Sequence, residues 1–447
     1  MDLSIWDIMT DLGLLSLLLL LGMFLRATIG ILQRSFMPAS IIAGVLGLVL
    51  GPNGFGIIPF SELIGNYPGV LIAVVFAALP LSTQKFRWSE IANKVGGLWS
   101  YSQIIMLLMW GGGLLFALIV LVPLFDVHNG FGLILAAGFV GGHGTAAAIG
   151  SAFEQQGWEE ATSLAMTSAT IGAIMAIVVG LILIKASANK GHTNYISRFS
   201  ELPEELRTGL LPENKRESIG NETVSSISID PLVFHLALVV LVTTVGYYLS
   251  VFGESLYSNL AIPAFSLAFL SGLVLRQLME VSKMDHYIDK NIMSKIGGSA
   301  TDILVAFGIA SINLTVVANN LVPFLILILF GIAFAYFFYR FVSQLYFQEN
   351  WFEKGIFTFG WITGAVAMGI ALLRIVDPKL KSNTLDEFGL AYIPMAPVEI
   401  LIITFAPLFI LNGQHWLFTL ITIGASIAIF IFSYYKRWLK FNIKENV

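Results

Sequence analysis

Apolar residues fill this chain in long unbroken blocks. They lie near 12–32, 38–52, 68–84, 97–124, 131–152 and 161–186, then near 231–252, 262–279, 298–316, 320–342, 355–376, 390–411 and 415–435. The blocks show neither the two-residue alternation of a barrel strand nor a polar helical face, so they predict helices in apolar surroundings. Most approach the ~20 residues that a helix needs to cross a ~30 Å hydrocarbon core. Between the sixth and seventh blocks, residues 187–230 are polar. There Glu201, Glu204, Glu205, Glu213 and Glu217 are interspersed with Arg207, Lys215 and Arg216, which reads as a solvated cytoplasmic linker.

Composition narrows the class further. Hydrophobic residues make up 57% of the 447 and charged residues 12%, which excludes a water-soluble domain, a disordered chain and a collagen-like fibre. The net charge of −4 and the lack of basic runs argue against nucleic-acid binding. With no cysteine, disulfides and thiolate chemistry are excluded. Enzyme signatures such as H-E-x-x-H, a P-loop or G-x-S-x-G are missing, so a transporter is expected rather than an enzyme. Asp2, Asp7 and Asp11 precede the first basic residue, so no cleaved leader is expected.

The two sets of blocks are related. Pro38–Leu50 aligns without a gap to Pro263–Leu275, with seven of thirteen positions identical, where biased composition would give about one or two. Lysine and arginine then set the topology, because short cytoplasmic loops are enriched in them. With the N-terminus outside, and with 131–152 and 355–376 entering and leaving on one side, all 24 basic residues fall inside. The expected fold is all-α and polytopic. It has two inverted-topology repeats of five spanning helices plus one re-entrant segment each, and one extra C-terminal helix. The repeats are 1–186 and 231–411, and 412–447 holds the extra helix and a basic cytoplasmic tail.

Both re-entrant segments are punctuated by glycine. The first reads Gly138-Phe-Val-Gly141-Gly142-His143-Gly144-Thr145, and the second Gly360-Trp-Ile-Thr363-Gly364-Ala-Val-Ala-Met-Gly369. Glycine costs about 1 kcal/mol relative to Ala in a helix interior, but it allows positive φ and close approach of backbone to ligand. A helix break at membrane depth leaves amide groups for an anion and carbonyls for a cation, and inverted repeats bring such breaks together near the midplane. A glycine-lined packing seam would use the same residues.

Gly141-Gly-His-Gly-Thr145, followed by Ala165-Met-Thr-Ser-Ala-Thr-Ile-Gly172, resembles the first-half signature of the bacterial glutamate:sodium symporter family. The resemblance covers roughly residues 12–411. It is strong in the first repeat and weaker in the second, where Gly360-Trp-Ile-Thr-Gly364 stands for a longer Gly-Phe-Gly-Leu-Gly run. It implies a secondary active transporter of a small carboxylate, foremost glutamate, with sodium as the coupling ion. It also implies a homodimer in the bacterial cytoplasmic membrane, C-terminus inside, with elevator-type alternating access: the re-entrant segments and their following helices move past a scaffold holding the Pro38 and Pro263 helices. Gly142, His143, Gly144, Thr145, Thr363, Gly364 and Arg374 are the candidate substrate-binding residues.

Each candidate carries a second reading. The Arg374 guanidinium could grip a carboxylate bidentately, or sit at the cytoplasmic mouth beside Asp377. His143 could donate to substrate, hold the loop in shape, or couple protons. Thr167, Ser168, Thr170 and Asn313 offer oxygens to sodium, a hard cation, but hydroxyls in membrane helices also bond back to their own i−4 carbonyls. Asp302 and Glu399, in the predicted helices 298–316 and 390–411, could each be a cation ligand, although Asp302 is near enough to a helix end to be solvated, and Gly111-Gly-Gly113 allows close helix packing or sliding between rigid bodies. A transporter of citrate-like anions, proton- or sodium-coupled, is the runner-up. A channel-like or structural membrane protein is the rival class.

Overall fold

Why the blocks become helices, and where they stop, is set by local chemistry at their ends. A computed structural model describes residues 4–34, 36–82, 88–188, 204–256, 262–377 and 380–439, and the regular elements among them are helical. The first set comprises α1 (Ile5–Thr28), α2 (Ala39–Leu50), α3 (Tyr67–Ser82), α4 (Trp88–Phe116), α5 (Leu133–Phe139), α6 (Gly142–Glu154) and α7 (Ala161–Ala188). The second comprises α8 (Pro231–Leu256), α9 (Ala264–Val281), α10 (Lys290–Ala310), α11 (Leu321–Phe337), α12 (Trp351–Val376) and α13 (Thr384–Leu411), followed by α14 (His415–Tyr435). Ser4 and Asp7 close a capping box on α1, and Asp289 caps α10 by accepting from the amides of Asn291 and Ile292.

Two local features recur in the two sets. Pro38 and Pro263 precede α2 and α9 with almost the same extended backbone, φ −59°, ψ 145° and φ −58°, ψ 142°. Both α4 and α11 pass through a five-residue π turn, Ala117–Leu121 and Phe338–Val342, into a four-residue helical end.

Ten helices among the described residues are long and apolar enough to cross a membrane. At 1.5 Å per residue, α2 spans roughly 18 Å and α3 roughly 24 Å, short of a ~30 Å core. Of the loop charges used for topology, Lys85, Arg87, Lys190, Arg198, Lys379, Lys440 and Lys444 lie outside the described residues, as does linker 189–203.

The helices sort into two groups. In one, α10 packs on α3 and α2, α9 on α3 and α8, and α1 on α2. In the other, α7 carries α5, α6 and α12, while α4 carries α13 and α14. Bare backbone makes the closest contacts. A Cβ on Gly44 or Gly47 of α2 would lie only 2.6 or 2.7 Å from the Ile309 or Ala310 Cβ of α10. Gly111 accepts Thr422 of α14 in the same way, which seats the extra helix on α4. In the first group the buried Asp11 carboxylate of α1 accepts from Ser61 N (2.9 Å), Ser61 Oγ (2.5 Å) and Tyr67 Oη (2.9 Å), tying α1 to the start of α3.

Candidate functional site

The glycine-rich segments both fold back on themselves. α5 and α6 pack against each other, and the His128 ring before them stacks on the Trp158 ring after them, with centroids 4.2 Å apart. The turn falls at Gly141 and Gly142, where Gly142 has φ +66°. α12 is broken at Gly364 (φ −150°, ψ 32°) and Ala365 (φ 65°, ψ 172°). In a continuous helix Gly360 and Gly369 would stand roughly 13 Å apart along the axis. Instead a Cβ on Gly360 would lie 2.8 Å from the Gly369 Cα, so the two limbs of α12 press together at these glycines.

The small residues of α7 explain where both hairpins sit. Gly138 of α5 lies against Ser168 and Ala169, and Gly172 of α7 receives the Thr363 carbonyl. Gly364 lies against Ala173 and Ala176. The Ser168–Ala176 stretch is therefore the seat of both hairpins. Their tips meet: a Cβ on Gly142 would lie 2.9 Å from the Ala365 Cβ.

A cavity of about 380 Å³ opens beside the joined tips, walled by both helix groups. Gly141, Gly142, His143, Gly144, Thr145, Gly364 and Ala365 line it from the hairpins. Ser40, Phe76, Thr301 and Asp302 line it from α2, α3 and α10, and Tyr392 and Glu399 from α13. Among the described residues, no lysine or arginine lines it. Positive partial charge reaches it from two helix ends, since α6 and the second limb of α12 both begin there with their first-turn amides. The cavity shares Leu79, Tyr392, Ala396 and Ile400 with a larger one of about 1030 Å³ that runs to Arg276, Gln277 and Glu280. A third cavity, about 700 Å³ and lined by Asn66, Glu154 and Tyr247, shares no lining residue with it.

Not every predicted residue comes to the tips. Gly142, His143, Gly144, Thr145 and Gly364 do. His143 Nε2 lies 3.1 Å from Thr170 Oγ1, and Thr170 donates its own hydrogen to the Met166 carbonyl at 2.9 Å. Nε2 therefore carries the proton and donates to Thr170. Thr363 is fully buried and donates to the Phe359 carbonyl at 2.6 Å, as Thr167 does to Ser163 at 2.7 Å. Ser168 Oγ is buried without a hydrogen-bond partner. Asn313 is exposed and caps the helix Leu314–Asn319, its Oδ1 accepting from Thr315 (3.0 Å) and Val316 (3.3 Å).

Arg374 stands away from the cavity. Ten residues of helix separate it from Gly364, roughly 15 Å. Its charge reaches the linker instead. The Lys215 ammonium, 2.5 Å away, holds the Glu205 carboxyl below its usual range, and Arg374 adds to the same field. Asp377 is turned into its own loop, accepting from the amides of Lys381 (2.9 Å) and Ser382 (2.7 Å). Sequence reasoning missed Tyr392 and Ala365. Tyr392 stands seven residues before Glu399, a same-face spacing that could have signalled the pair, whereas nothing in the residue type of Ala365 announces its backbone.

The chain has recognisable relatives. A family model described as sodium/glutamate symporter matches residues 4–361. A sodium/glutamate symporter of Haemophilus influenzae is 22% identical over 332 residues, covering 72% of this chain and 76% of that protein.

Proposed function

The chain belongs to the sodium/glutamate symporter family, and on that premise we propose that it carries glutamate, or a closely similar small carboxylate, into the cell together with sodium. The observation that carries the proposal is the pair of hairpin tips meeting at Gly142 and Ala365 in the wall of a cavity without lysine or arginine. Substrate carboxylates bind at the first-turn amides of α6 and of the second α12 limb, where the helix dipole favours negative charge. The two carboxylates among the lining residues, Asp302 and Glu399, weigh against a citrate-like polyanion.

Sodium needs oxygen donors. No group of three or more His, Asp or Glu among the described residues could hold a metal ion, so backbone carbonyls and hydroxyls supply most of the ligands, with at most one or two carboxylates. Of the predicted sodium residues, Ser168 has a buried hydroxyl without a partner, next to Gly138 of the first hairpin. Thr167 and Asn313 use their side chains within their own helices, and Thr170 is engaged by both the Met166 carbonyl and His143.

Transport follows an elevator path in this reading. The group holding α5, α6, α7 and α12 slides past the group holding α2, α3 and α10, along a cavity wall that includes Ile72 and Phe76. Inverted repeats are supported by the Pro38–Leu50 match to Pro263–Leu275 and by the paired π turns. With the Arg276 end cytoplasmic, the continuity of the two cavities through Tyr392 and Ile400 describes an inward-facing state. A homodimer in the bacterial inner membrane, with the N-terminus outside and the C-terminus cytoplasmic, completes the proposal.

Uptake of labelled L-glutamate into proteoliposomes, with an inward sodium gradient against a potassium control, tests it. Concentrative uptake that needs sodium is the expected result. Equal uptake under both gradients would remove sodium coupling, and no uptake would remove glutamate.

A further inference from the structure

We propose that Tyr392 and Glu399 form the part of the cavity that recognises the ammonium group of an amino-acid substrate, an inference that deepens the reading above and rests on it. Both stand on α13 and both line the cavity beside the hairpin tips. Tyr392 Oη donates to Glu399 Oε2 at 2.7 Å. With that proton engaged, the phenol oxygen has only acceptor capacity left, and an ionised carboxylate only accepts. The pair offers the cavity acceptors and no donor.

Among the described residues the carboxylate has no cation of its own. Glu399 is 7% exposed, its hydrogen bond comes from Tyr392, and lysine and arginine do not line the cavity. A buried carboxylate without a counter-charge is strongly disfavoured, so a cation that enters with the cargo gains most from binding there. An ammonium group, with three donors and no acceptor, is the complement of this acceptor pair. The hairpin tips supply the opposite chemistry, amide donors at two helix starts. The cavity is thus divided into donors for carboxylates and acceptors for an ammonium, the polarity of an amino acid rather than of a plain dicarboxylate.

Placement in the two groups assigns the work further. Asp302 also lines the cavity, but it is exposed and stands on α10 in the other group. Glu399 stands on α13, which packs on α4 and α6 with the hairpins. Glu399 accompanies the cargo, and Asp302 meets it only where the two groups face each other. Both Tyr392 and Glu399 lie beyond the matched span 4–361, so the pairing is argued from this chain's own geometry.

The test compares L-glutamate with glutarate, which keeps both carboxylates and lacks the ammonium, in sodium-driven proteoliposome uptake and competition. For the unaltered protein, glutarate should compete at least about tenfold more weakly than L-glutamate. Glu399→Gln should raise the KM for L-glutamate about tenfold or more and leave the glutarate inhibition constant unchanged or lower, so that the preference collapses. Tyr392→Phe, which keeps the carboxylate, should weaken L-glutamate by a few fold in the same selective way, and it decides the matter if Glu399→Gln does not assemble. An intact glutamate-over-glutarate preference in both variants overturns the inference. So does a shift in the sodium half-saturation with the preference unchanged, which would make Glu399 a sodium ligand. Absence of L-glutamate uptake by the unaltered protein would instead overturn the glutamate reading itself.

Discussion

Gly142 and Ala365 face each other where the two hairpins meet, each with φ in the left-handed region, 66° and 65°. A Cβ added to Gly142 would stand 2.9 Å from the Ala365 Cβ. Glycine takes such a backbone freely. Alanine at φ 65°, ψ 172° occupies a region that is essentially glycine's own, at a cost of about 1–3 kcal/mol, and persists because its neighbours hold it there.

That relationship predicts an asymmetric pair of substitutions. Gly142→Ala adds both strain and a clash at the tip, and sodium-driven uptake should fall at least tenfold while the purified protein remains monodisperse. Ala365→Gly removes strain and should raise the melting temperature in detergent with uptake retained. The double variant should recover part of the activity lost in Gly142→Ala, because the Cβ in the way has gone. Equal losses in both single variants would argue against the facing geometry.

Three hydroxyls of α7 stand in three different situations. Thr170 Oγ1 accepts the hydrogen bond from the His143 ring N–H, so Thr170→Val strands a buried N–H, a loss worth about 1–3 kcal/mol, and should cut uptake severalfold. Thr167 is bonded back to Ser163, and Thr167→Val should leave uptake and sodium half-saturation within about twofold. Ser168→Ala removes a hydroxyl with no partner and should not destabilise the fold. A rise in sodium half-saturation in that variant alone would place sodium beside Gly138.

How much of this was legible beforehand depended on range along the chain. The thirteen apolar blocks follow from hydropathy, and adjacent glycines at 141 and 142 betray the first break because backbone freedom is a property of residue type. The second break is less visible, since half of it falls on Ala365, whose backbone is dictated by the packed limbs around Gly360 and Gly369. The Tyr392–Glu399 pair was half legible from its helical spacing, but its meeting with the tips depends on how α13 crosses α6. Thr363 and Asn313 show the converse: right residue types whose polar groups are taken by their own local backbone.

Arg374 offers a sharp discrimination. A guanidinium that gripped the substrate would make Arg374→Gln abolish carboxylate affinity. Its separation of roughly 15 Å from the break and its field on Glu205 predict otherwise. We expect the KM for L-glutamate to change by less than about threefold, with faster proteolysis of the linker around Glu205. Loss of affinity in this variant would bring Arg374 back to the substrate.

Asp289 ties Asn221 to the start of α10. Burial raises its pKa, but the amides of Ile292, Asn221 and Asn291 hold it, on balance, below its usual value. A group with a depressed folded pKa stabilises above its unfolded pKa, ~3.9, and loses that contribution as pH falls through the folded value. Asp289→Ala should therefore cost about 1 kcal/mol at pH 7, the usual worth of a helix cap. The gap in melting temperature between the two proteins should narrow as pH falls below about 4. A gap that widened in acid would contradict the assigned charge state.

The absence of cysteine makes the topology directly testable, because a single introduced thiol is unambiguous. Gln156 lies in the turn after α6, and His128 stacks on Trp158 beside it, so both ends of the first hairpin emerge together. Lys283 follows α9 at the Arg276 end, and Lys381 follows the second hairpin. Inverted repeats with two re-entrant segments require opposite accessibility at these places. Gln156→Cys should react with a membrane-impermeant maleimide in intact cells. Lys283→Cys and Lys381→Cys should react only after permeabilisation. If 131–152 crossed the membrane instead, Gln156 would be labelled only after permeabilisation, and the two hairpins could no longer enter from opposite faces to meet at Gly142 and Ala365.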